Sequence, residues 1–208
     1  MSINFAGDAD WPGWPETRGC PLPVAQATPD AFRLGGTVRG TLGGSQRIDR
    51  LGDRWSCTFV TRTMEWEPEG RRWSVLIDRA EKKGGLFRLP QPGLRSYALG
   101  QPVVAAPTNS GRFVPLAGLS PDAIVLAGQW VSIIVGGQRY ADKAVAQVVA
   151  AADGTAMIEL TSLIRAPMPA GSVVELTVPK IEGSVEASGG EIATDGTTSW
   201  TITVTEDA

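Results

Sequence analysis

Arg54-Trp55-Ser56-Cys57-Thr58-Phe59-Val60-Thr61-Arg62-Thr63 is the stretch from which the fold is read. Trp55, Cys57 and Phe59 alternate with polar residues, the pattern of a strand with one buried face. Val60 breaks the alternation, which predicts a bulge there. Far downstream, Trp200-Thr-Ile-Thr-Val-Thr205 follows the same plan, with Trp200, Ile202 and Val204 set against threonines. Its composition is closer to the Trp55 strand than to anything in between. Chain ends often lie close in space, so the two strands are expected to belong to one β domain built from residues 1–98 and 180–208.

Between them lies a single convincing helix. In Glu69–Gly84, Trp73, Leu76, Ile77 and Ala80 recur at helical spacing, Lys82-Lys83 suit the C-terminal end of the helix dipole, and Gly84 is a natural cap. Glu65-Trp-Glu-Pro-Glu69 before it alternates like an exposed strand edge. Gly85–Pro90 reads as a short strand. From residue 99 to 179 the chain becomes a series of short strand-like pieces, among them Phe113–Leu116, Trp130–Val135, Ala144–Ala150 and Thr155–Leu160. Gly136-Gly137 and Asp153-Gly154 supply hairpin-turn dipeptides. Short strands with little helix predict a small β-barrel, inserted into the first domain. The expected fold class is therefore mainly β.

Composition agrees. The chain has 25 glycines and 15 prolines among 208 residues, well above ordinary usage and hostile to long helices. Histidine is absent, which removes His-dependent triads and histidine-containing metal sites. Two cysteines, Cys20 and Cys57, are too few for a cysteine cage, and Cys57 is expected as a buried thiol. No cofactor and no metal are expected, and no acidic pair stands out for acid–base work, so the chain reads as a non-enzyme. Its longest apolar stretch, Ala123–Val135, is interrupted and too short to span a membrane. The N-terminus carries no recognisable secretory signal. Residues 1–99 hold 14 basic and 11 acidic side chains, whereas the remainder holds 5 and 11. That asymmetry fits contacts with different neighbours as well as two ordinary solvated surfaces. The formal net charge of −3 argues against specific nucleic-acid binding.

Two features draw attention as assembly contacts. Arg47, Asp49, Arg50, Asp53 and Arg54 pack both signs of charge into eight positions. As a solvated turn, such pairs contribute only about 0.2–1 kcal/mol each. As a subunit contact, rigid guanidinium–carboxylate pairs can set register. Trp11 and Trp14 sit on an irregular, proline-rich arm and are suited to anchoring it on its own domain or on a neighbour. Trp130 and Tyr140, in the inserted section, read as core residues, as a platform for a sugar or as part of an interface.

The chain resembles the distal tail and related minor tail proteins of long-tailed, siphovirus-like bacteriophages. The resemblance rests on Gly44-Ser-Gln-Arg-Ile-Asp-Arg-Leu-Gly-Asp-Arg-Trp55, on the helix containing Arg72-Trp73, and on Gly84-Gly-Leu-Phe-Arg-Leu-Pro-Gln-Pro-Gly93. It continues through Ala127-Gly-Gln-Trp-Val-Ser-Ile-Ile134, Tyr140, Asp153-Gly154, Leu163-Ile-Arg165 and Pro179, covering roughly residues 38–205. It implies a tail-tube-related first domain and a structural role in the virion tail tip, assembled in the host cytoplasm. It also implies a homo-oligomeric ring, hexameric or trimeric, with the tail tube protein on one side and hub or fibre proteins on the other. The alternatives are a tail-tip hub or tail-completion protein, or a carbohydrate-binding adhesion module centred on the inserted barrel.

Overall fold

The computed structural model describes residues 3–4, 24–32, 36–39, 43–48, 53–94 and 99–207. Its architecture is mainly β, with a curled, half-barrel sheet and, among the described residues, one α-helix. In chain order the elements begin with β1 (Ile3–Asn4), β2 (Val24–Phe32), β3 (Gly36–Arg39), β4 (Ser45–Ile48), β5 (Arg54–Thr61), β6 (Met64–Glu65), helix α1 (Arg71–Lys83) and β7 (Gly85–Arg88). They continue with β8 (Gly100–Val104), β9 (Phe113–Leu119), β10 (Ile124–Val125), β11 (Trp130–Val135), β12 (Gln138–Lys143), β13 (Val148–Val149), β14 (Ala156–Glu159) and β15 (Val174–Glu175). The last three are β16 (Lys180–Gly189), β17 (Thr197–Thr198) and β18 (Trp200–Glu206).

The chain divides into two compact units. One comprises Met1–Asp30, Ser56–Pro90 and Lys180–Asp207, and the other comprises Ala31–Trp55 with Gln91–Pro179. The sequence boundaries drawn above assigned 31–55 and 91–98 to the first domain, whereas here they group with the second unit.

The first unit is organised by a six-stranded sheet in the order β1-β7-β16-β18-β5-β2. β1 runs parallel to β7, and the β7–β16, β16–β18 and β18–β5 pairs are antiparallel. The returning strand thus pairs with the early one as its pattern predicted, with Ile202 opposite Phe59 and Val204 opposite Cys57. All four of these side chains are buried. Phe59 stacks on Phe87 of β7 at 5.0 Å between ring centroids. The expected bulge at Val60 does not form. The β5–β18 register runs unbroken from Ser56 opposite Thr205 to Val60 opposite Thr201, so Val60 simply takes the half-buried opposite face.

Helix α1 buries Trp73, Leu76, Ile77 and Ala80, the four positions that the spacing singled out. Burying each large side chain contributes roughly 1.5–3 kcal/mol. The helix ends where Gly84 takes φ 78° and its N–H donates to Ala80 O at 2.7 Å. The Glu81 carboxylate accepts the Ala187 N–H of β16 at 3.0 Å, tying the helix to the sheet. The Glu65–Glu69 stretch is not a strand edge. Only Met64 and Glu65 pair, with β17, and the chain then turns tightly into α1. Glu67 pairs with Arg71 at 2.9 Å and Glu69 with Arg62 at 3.4 Å, so the alternating acids are held by neighbouring arginines.

In the second unit, β14-β9-β8 and β12-β11-β15 form two three-stranded sheets. Val103 bridges to Val173, joining β8 to the start of β15, and Ala144 bridges to Leu160, joining the ends of β12 and β14. Following the pairings from β12 through β11, β15, β8, β9 and β14 therefore returns to β12, which gives a barrel-like wall. Its interior is filled by residues such as Val104, Val114, Leu116, Val131, Ile133, Ile158 and Leu176, all at most 2% exposed. The β11–β12 hairpin turns through Gly136-Gly137, pairing Val135 with Gln138 as the dipeptide predicted. Of the expected strand Ala144–Ala150, only β13 forms, paired with β10.

Candidate functional site

The assembly residues proposed from sequence are only partly placed. Trp11, Trp14, Asp49 and Arg50 lie outside the described residues. Arg47 falls in β4, opposite Thr37 in the β3–β4 hairpin. Asp53 and Arg54 lie at the entry to β5, both half-buried. The Arg54 Nε is buried and has no hydrogen-bond partner among the described residues. The structure thus describes only Arg47, Asp53 and Arg54 of the five charged residues. It shows what lies at the end of that run.

There the second unit holds a compact cation–aromatic group. Hairpin register puts Lys143 directly opposite Trp130, and Trp55 meets Trp130 edge to face at 4.8 Å between centroids. The Lys143 ammonium lies 4.4 Å from the Trp130 ring centroid and 4.8 Å from that of Trp55. Such contacts are worth about 0.5–2 kcal/mol each, more as water is excluded. The Trp130 indole is only 5% exposed. Sequence reasoning named Trp130 but missed its partners. The Gly136-Gly137 turn did carry the signal for Lys143, because pairing 135 with 138 fixes 130 against 143. Nothing in the sequence joined Trp55 to Trp130, since that contact depends on tertiary folding.

The rest of β12 continues the theme. Arg165 lies over the Tyr140 ring at 5.4 Å and donates from Nη2 to Ala141 O at 3.1 Å. Arg139 pairs with Glu175 at 3.4 Å. Asp142 is 7% exposed, and its carboxylate accepts the Lys143 N–H at 2.7 Å, the Ser162 N–H at 3.0 Å and the Thr161 hydroxyl. It thereby pins the chain after β14 to the end of β12. Two amides do similar work nearby. Gln91 donates to Leu176 O and accepts from Trp130 N, and Gln129 donates to Leu176 O and accepts from Leu126 N. Each cation on this side is thus already engaged by a ring, a carbonyl or a carboxylate. The arrangement fixes a surface. Among the described residues, no three His, Cys, Asp or Glu side chains gather as a metal site would require.

Two exposed aspartates recur in one turn design, once in each unit. Asp153 accepts from the Thr155 hydroxyl and N–H, and Asp195 does the same with Thr197. In both cases the threonine hydroxyl, followed by its N–H, holds the carboxyl below the usual aspartate value. The backbone bonds match as well, Gly154 to Ala151 and Gly196 to Ala193 at 2.9 Å each. No helix among the described residues is long and apolar enough to cross a membrane. Comparison with protein-family models and with curated proteins finds no match for this chain.

Proposed function

We propose that this chain is a structural component of a phage tail tip, a distal tail protein that forms a ring between the tail tube and the hub or baseplate. The observation that carries the reading is the way one sheet is built. β16 and β18, from residues 180–206, complete a sheet begun by β5 and β7, with one helix packed on it and a barrel-like unit between the two halves of its sequence. That plan accords with the tube-related domain and attached barrel that the sequence resemblance implies. On this reading the chain forms the ring, in the virion at the tail tip, and works by docking rather than by catalysis. The 45–55 segment and the Trp11/Trp14 arm are its contacts with neighbouring subunits. A ring needs two different faces on each subunit, so the mixed charges of that segment would set register and reject wrong docking.

A hub or tail-completion role uses the same assembly logic and differs only in position within the tail. A sugar platform on Trp130 and Tyr140 draws less support, because the indole is buried and Arg165 lies over the Tyr140 ring. The test is to mix the purified chain with the tube protein of the same tail and image the product by negative-stain electron microscopy. Discrete annular particles, or discs capping tube ends, are the expected result. Unassociated particles beside bare tubes would overturn the proposal.

A further inference from the structure

We draw no further inference here: the strongest candidate, the exposed apolar side of the β10–β13 pair, where Ile124 lies opposite Val149 with Leu126 two residues on, carries nothing because nothing in the structure shows what covers it.

Discussion

Asp142 offers the sharpest test of how the second unit is held together. Its carboxylate receives three hydrogen bonds at 7% exposure, two from backbone N–H groups of Lys143 and Ser162 and one from the Thr161 hydroxyl. Asp142→Ala removes every acceptor. Hydrogen bonds to a charged group contribute about 1.5–3 kcal/mol each, and water recovers part of the loss because Thr161 is exposed. The expected cost is about 3 kcal/mol. Asp142→Asn keeps one carbonyl oxygen, which can still serve Lys143 N–H and the Thr161 hydroxyl, but it turns an NH2 group towards the Ser162 N–H. One bond is lost, at a cost of about 1.5 kcal/mol. Urea unfolding measures both costs, and hydrogen exchange at the Ser162 amide shows whether the loss is local. Asparagine at no measurable cost, or alanine costing no more than asparagine, would refute the reasoning, because the carboxylate would then not be the acceptor that holds this junction.

The Phe59–Phe87 stack should show a coupling of about 1 kcal/mol in a double-mutant cycle of leucine replacements read by urea unfolding, and additive effects would deny the contact. Gly183→Ala should destabilise the first unit by about 1–3 kcal/mol, because an added Cβ would overlap the carbonyl oxygen of Thr205 across the β16–β18 pair, and unchanged thermal unfolding would contradict that register. The Asp153 and Asp195 carboxyls have folded pKa values below the ordinary aspartate value of 3.8, so their contribution is full above that value and is lost as pH falls through the lowered one. The Thr155 and Thr197 amide resonances should therefore titrate together below the ordinary aspartate range, and an ordinary midpoint at both would remove the threonine contacts.

Periodicity made the frame of the fold legible. The helix was marked by Trp73, Leu76, Ile77 and Ala80, and the pairing of chain ends by the shared alternation in β5 and β18, because both patterns are local signatures of a buried face. The Gly136-Gly137 turn was legible for the same reason, since two residues decide its geometry. What failed was whatever depended on neighbours. Glu65–Glu69 alternates in sequence, yet the chain leaves β6 at Glu65 and turns into α1, with Glu67 and Glu69 beside Arg71 and Arg62. Val60 looked irregular only because a half-buried second face accepts valine. The Asp195 turn went unnoticed, although it repeats the Asp153 design, because the Ser/Gly-rich segment around it hid the dipeptide. Of the candidate site, the hairpin fixed Lys143 against Trp130, but the arrival of Trp55 and the carboxylate bridge from Asp142 to residues 161–162 are long-range events with no periodic trace.

The most direct test of the ring assignment is native mass spectrometry of the intact chain, alone and with its tail tube protein, across a concentration series. The account predicts a closed oligomer with three- or six-fold multiplicity, formed alone or on the tube protein. A chain that stays monomeric or dimeric at every concentration and never engages the tube protein would contradict it.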